Sequence, residues 1–380
     1  MNKLAKHWRD AATVILAARA PAVQKTSHGP WTQNYDFRLL MLKRSSKSKF
    51  MPSAYVFPGG MASEADFSNE WCDVFNTDLQ KLGRDLEPLS GPRPPMFTTQ
   101  SEDQPSGSIV PNELAFRLCA IRETFEESGV LLAKSKNHTA PKKDGSVIDG
   151  SHSNELTIWR KKVDADASNF ILMCKELQIV PDVWAMMEWS NWLTPTAAKK
   201  LGLNAGRRYE TAFFLCCVDH LPITTHDEKE TVKFGWLTPD EVYEDFKNEK
   251  LWIAPPQVYE LARIANFSKY DDLLKFSKER ATEGCEQIMP VISMCTDGRL
   301  SLYPGDDLYP SNPDYIGDRD PPLIIDSTIE ESRGQAKNLN RMEFLGLNQV
   351  SISHNIVPSC GHIAPAKTDT TEDVVPHASL

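Results

Sequence analysis

"IRETFEESGV", residues 121–130, sets three glutamates and an arginine just ahead of a glycine, and the rest of the chain is read outward from it. On a helix Glu123, Glu126 and Glu127 stand at i, i+3 and i+4, where like charges on one side destabilise by about 0.2–0.5 kcal/mol per pair. Two arrangements answer that pattern, a solvated acidic face or a pocket for a hard divalent cation. Spacing alone supports both equally. Around this stretch Leu114, Leu118, Ile121 and Phe125 recur at the helical period, and Gly129 sits where a C-terminal cap belongs.

Upstream, "ATVILAA" (12–18) and "FRLLMLKR" (37–44) read as strands, and the short "AYVF" (54–57) runs into Pro58-Gly59-Gly60. Between Met61 and Pro111 the composition shifts to Ser, Asp, Glu and Pro. That predicts an insertion over about 67–111, too rich in breakers for a core element. A second, flexible excursion spans about 134–153, followed by a helical region near 154–178 whose Phe170, Ile171, Cys174 and Leu177 form a core stripe. "MEWSNWLTP" (187–195) and "YETAFFLCCVD" (209–219) are strand candidates, the second apolar enough to be buried on both faces. Helices are expected over 239–248, 256–267 and 270–281, then short apolar runs between turns, and a disordered tail over 357–380.

With 380 residues, 41% hydrophobic and 25% charged, the chain has ordinary globular usage. Its longest apolar run, within 11–20, is too short to cross a bilayer, and Asp10 and Arg19 bracket it too tightly for a signal peptide; a buried first strand accounts for it. The net charge of −10 argues against a nucleic-acid scaffold. Any anionic ligand must then be held by a local basic cluster or by metal. Eight scattered cysteines with no C-x-x-C pair suit a reducing compartment and core packing rather than a disulfide or zinc framework.

In a phosphate-processing site Mg2+ or Mn2+ takes oxygen ligands, usually one or two carboxylates plus water and substrate oxygens. A cation beside Glu123, Glu126 and Glu127 would relieve their repulsion, Arg122 can fix one glutamate's rotamer, and the Gly59-Gly60 turn lets backbone approach a ligand closely. At this point "FPGG" (57–60) with "RETFEESGV" (122–130) resembles the Nudix signature, interrupted here so that Gly60 and Arg122 are far apart. Interruption of that kind, with "YVFPGGM", "RRYETAFFLCC", "WLTPDE" and "LYPGDDLYP", is similar to the peroxisomal-type coenzyme A diphosphatase branch over about residues 8–310.

The resemblance implies a Nudix α/β/α sandwich around a mixed sheet over 8–282, with the long insertion inside the box, and a C-terminal extension over 283–356. It implies metal-dependent hydrolysis of the diphosphate of coenzyme A or acyl-coenzyme A. Arg122, Glu123 and Glu127 are the expected catalytic residues, and Glu123, Glu126, Glu127 and Glu230 the expected metal ligands, Glu228 being the alternative to Glu230. Either Asp66 or Glu113 supplies the first acid of the box. Gly59, Gly60, Arg44 and Arg208 are expected to touch substrate, with Arg38, Lys43, Lys47, Lys49 and Arg207 as further basic candidates. His226 is a base or an ordinary surface histidine, and Trp192, Tyr209 and Phe213 are stacking residues or core. "ASL" at 378–380 and the branch together lead us to expect the peroxisome, with cytosol or mitochondrion as alternatives. The rival functions are a Nudix pyrophosphatase on ADP-ribose, a dinucleotide or capped RNA, and a Nudix-fold module that only binds.

Overall fold

The run RDAATVILAAR forms β1 (Arg9–Arg19), buried along both faces between its ends. A strand with that profile belongs at the centre of a covered sheet. The structure is a computed structural model describing residues 8–22, 31, 34–46, 53–136, 145–148, 154–197, 208–224, 231–317, 323–346 and 349–368. After β1 come β2 (Phe37–Arg44), β3 (Ala54–Val56) and β4 (Gly59–Met61), then α1 (Trp71–Phe75), α2 (Leu79–Leu86), α3 (Pro95–Thr98) and the long α4 (Asn112–Ser128). The middle of the chain supplies β5 (Leu131–Ser135), β6 (Val147–Ile148), α5 (Asn154–Ala165), α6 (Asn169–Glu176), β7 (Ile179–Pro181), β8 (Met187–Leu193) and β9 (Tyr209–Val218). Then follow β10 (Thr231–Leu237), α7 (Pro239–Lys247), β11 (Trp252–Ile253), α8 (Pro255–Ile264), α9 (Tyr270–Arg280) and β12 (Gln287–Ile288). The last elements are β13 (Val291–Met294), β14 (Arg299–Leu302), β15 (Leu323–Ile324), α10 (Ile329–Gln335), β16 (Asn340–Phe344) and β17 (Val350–His354).

The main sheet is mixed, in the order β11-β3-β2-β1-β9-β8-β12, with β10 on β2 and β4 on β1. β1 is parallel to β9 from Arg9↔Tyr209 to Ala18↔Val218. Its other edge is shared: β4 covers Ala11 to Thr13 and β2 covers Ala17 to Arg19, both antiparallel. Ala12, Val14, Leu16 and Ala18 pack under α4 in one core, whereas Ile15 and Ala17 face a second core built with α8 and α9. That is the expected three-layer sandwich. In β8 a register shift between Glu188 and Ser190 re-phases the strand. Trp189 and Trp192 consequently both reach α8, where each indole donates to Glu260 at 2.7 and 2.8 Å.

Two expectations change. The stretch after Met61 holds core elements: Phe67, Trp71, Val74, Leu79, Leu82 and Met96 are buried in the same core as α4. Several of its polar residues are caps, with Ser63 and Asp66 forming a capping box on the 3-10 turn Glu64–Phe67, Asn76 ending α1 in the left-handed region and Asp78 capping α2. Residues 357–368 are also ordered against the domain. Ala366 N donates to Ala262 O at 2.8 Å and Trp31 Nε1 to Lys367 O at 2.9 Å. Between these the five-stranded sheet β15-β13-β14-β16-β17 adds Met342, Phe344, Val350 and Ile352 to the second core.

Candidate active site

Every residue of α4 is buried except Glu123 and Glu126. The helix runs between sheet and outer helices and ends at Gly129 (φ 75°), whose left-handed cap turns the chain into β5. A solvated acidic face is therefore excluded. The two partly open carboxylates converge on Arg122, whose Nη1 donates to Glu123 Oε1 and to Glu126 Oε1, both at 2.8 Å. Nε and Nη2 of the same guanidinium form a two-pronged pair with Asp66, both at 2.9 Å, and Nη2 also reaches Met61 O at 3.1 Å.

Three carboxylates thus surround one cation. Burial opposes the Arg122 charge, but Asp66 and Glu123 outweigh it and hold its pKa well above the usual value. Burial likewise pushes the Glu126 carboxyl up to about 8 against the pull of Arg122, with Glu123 and Asp66 adding to the rise. The cluster is short of positive charge.

The Phe57-Pro58-Gly59-Gly60 turn lies across this face and is fixed at several points. Thr13 Oγ1 and Val14 N donate to Pro58 O at 2.5 and 2.9 Å, and Phe57 N donates to Gln257 Oε1 at 3.0 Å. Gly59 N donates to Glu127 Oε2 at 2.9 Å, which explains why Glu127 is buried. A side chain at Gly60 would run into the Glu123 carboxylate and push it aside.

Of the two candidates for the first acid of the box, the fold brings Asp66, not Glu113, to Arg122. Glu113 lies ten residues before Glu123, about 15 Å along the helix at 1.5 Å per residue. There it pairs with Arg93 and with Arg117 at 2.9 Å. Arg208 donates to Thr194 O at 2.9 Å and Tyr315 O at 2.6 Å, tying β9 to the C-terminal part rather than reaching the cluster. Arg44 ends β2 opposite Thr231 of β10. Trp192 and Phe213 are core. Glu228, Glu230, His226, Lys47, Lys49 and Arg207 lie outside the described residues. Thr13 and Gln257 escape the sequence reading, although a threonine inside an otherwise apolar strand is a signal.

Among the described residues no three His, Cys, Asp or Glu side chains are arranged to hold a metal ion. Glu123 and Glu126 are turned to Arg122, and Glu127 to the Gly59 amide. The donor set nonetheless fits a hard divalent cation: two acidic oxygens lie within 2.8 Å of one nitrogen, in a cluster with excess negative charge.

A mixed sheet between helical layers, with an R-E-x-x-E-E-x-G helix folded under a Gly-Gly turn, defines a Nudix protein. The family model described as the NUDT19 Nudix domain matches residues 8–264, and that of the NUDT19 C-terminal domain matches 292–355. The chain belongs to the NUDT19 family of Nudix hydrolases. It is 42% identical over 375 residues to the acyl-coenzyme A diphosphatase NUDT19 of Xenopus laevis, covering 96% of this chain and 97% of that protein. To the Gallus gallus protein of the same name it is also 42% identical, over 97% of this chain and 98% of that one, and to the Homo sapiens protein 34%, over 94% of each.

Proposed function

We propose that this protein hydrolyses coenzyme A and acyl-coenzyme A at the diphosphate, giving 3′,5′-adenosine diphosphate and 4′-phosphopantetheine or its acyl form. The observation that carries this reading is the convergence of Glu123 and Glu126, the two partly open residues of α4, beneath the Gly59-Gly60 turn. The substrate is supported by relatives named acyl-coenzyme A diphosphatase that match over nearly their whole length.

Water adds to one phosphorus, the bridging P–O bond breaks, and the leaving phosphate carries the electron pair away. A divalent cation, Mg2+ or Mn2+ in this reading, supplies charge neutralisation at the diphosphate oxygens and lowers the pKa of bound water. Glu126 and Glu127 would hold it, joined by Glu230 or Glu228, with Glu123 as a further ligand or as the group that orients the attacking water. Arg122 keeps Glu123 and Glu126 in fixed rotamers while Asp66 clamps the guanidinium from behind. The Gly59 amide orients Glu127, and bare backbone at Gly60 leaves room beside Glu123. Arg44 is assigned to the substrate's 3′-phosphate, since guanidinium forks suit phosphate. Peroxisomal residence belongs to the same reading, on the likeness to that branch, and co-localisation with a peroxisomal marker tests it.

Glu127→Gln should lower turnover of coenzyme A by at least about a hundredfold, the scale of losing an electrostatic group in a catalytic centre, with an unchanged circular dichroism spectrum. Near-normal activity in that variant removes the α4 acids from the mechanism.

A further inference from the structure

β10 runs antiparallel to β2 with Phe234 opposite Leu42 and Trp236 opposite Leu40. Leu40 and Leu42 belong to the core beneath α4, and the two rings pack half-buried against that core, so they stand on the same face of the sheet as α4 and its acids. Strand alternation puts Arg38 and Arg44 on that face too, one at each end of the strip. Arg38 faces Glu241 across 3.7 Å. Trp236 Nε1 is shut away from solvent and meets no acceptor among the described residues.

We infer that Phe234 and Trp236, with Arg44 beside them, form the subsite for the adenine and 3′-phosphate end of the substrate. This rests on coenzyme A cleavage as proposed above. The chemistry matches in two respects. A purine presents a flat π-face to aromatic rings, and a 3′-phosphate suits a guanidinium. The pantetheine arm, flexible and uncharged, has no use for cations flanking an aromatic strip.

The test uses the full-length protein, wild type against Trp236→Leu, Trp236→Phe and Phe234→Leu. It reads kcat and KM for coenzyme A, calorimetric Kd for each product separately, and the melting temperature. In Trp236→Leu, KM for coenzyme A and Kd for 3′,5′-adenosine diphosphate should rise together by about tenfold, the scale of one lost base stack. Turnover at saturation and Kd for 4′-phosphopantetheine should hold. Trp236→Phe, which keeps a ring, should recover most of the loss, and if Trp236→Leu does not fold, Phe234→Leu must show the same split. Unchanged affinity for 3′,5′-adenosine diphosphate in a folded variant, or a loss confined to 4′-phosphopantetheine, overturns the subsite. A wild type that cleaves no coenzyme A overturns the proposed reaction first and the subsite with it.

Discussion

Arg122 faces more negative charge than it can neutralise, and the local chemistry follows from that imbalance. Its two-pronged bond to Asp66 is buried and fixed, so the remaining Nη1 holds Glu123 and Glu126 at equal distance. Gly60 closes the other side of Glu123. Placing a methyl there forces the Glu123 carboxylate aside, and displacements of about 1 Å at a catalytic group cost on the order of a hundredfold. Gly60→Ala should therefore lose turnover by about that factor while its melting curve stays close to wild type; near-normal turnover would mean that Glu123 is free to move without consequence. The sequence leaves Asp66 and Glu113 as equals because the interruption can lie on either side of the box's first acid. Only the fold, by bringing residue 66 back to residue 122, separates them.

At the scale of elements, the segment that interrupts the box is a brace. Arg93, between α2 and α3, donates through Nη1 to both oxygens of Glu188 at 2.6 and 2.7 Å and pairs through Nη2 with Glu113. It joins the first turn of α4 to β8. Arg117 supports Glu113 and also reaches Met186 O and Leu86 O, both at 3.2 Å. Arg93→Ala strands Glu188 without this partner in the interior. Removing one member of a buried pair typically costs about 3–5 kcal/mol, and Arg117 keeps the loss toward the lower end. Urea unfolding should show it as a lower midpoint with an unchanged slope; equal midpoints would make the segment an ornament. Much of the architecture is legible beforehand: β1, β2, β8, β9 and α4 carry continuous or periodic apolar patterns, and the helices after residue 238 fall within a few residues of expectation. What escapes is polar sequence with a tertiary job. Ser63, Asn76 and Asp78 look like loop residues and are caps, and Trp189 looks out of phase with Trp192 until a bulge restores it.

For the whole molecule, the C-terminal sheet and the irregular return of the chain through Ala366 cover the face of the main sheet opposite α4. Two histidines sit in that covering. Burial lowers His354 to about 4 and His362 well below its usual value, with Arg263 adding to both. His362 meets Trp189 edge to face at 4.6 Å, and its Nδ1 accepts from Ile363 N at 2.8 Å, so the neutral ring is the one the fold holds. Because the folded values are depressed, the unfolded chain binds more protons; this stability is complete above pH about 6.5, the unfolded value, and is lost as pH falls toward 4. The melting temperature should drop more steeply between pH 7 and 5 in wild type than in His362→Phe, and parallel curves would contradict the assignment. The central claim, a Nudix centre that opens the coenzyme A diphosphate, is tested most directly by mass spectrometry of products. Wild type with Mg2+ is given coenzyme A, a medium-chain acyl-coenzyme A, dephospho-coenzyme A, ADP-ribose and NADH in parallel. Release of 3′,5′-adenosine diphosphate from the first two, ahead of any product from the others, is the predicted result; turnover of ADP-ribose or NADH with coenzyme A left intact would contradict it.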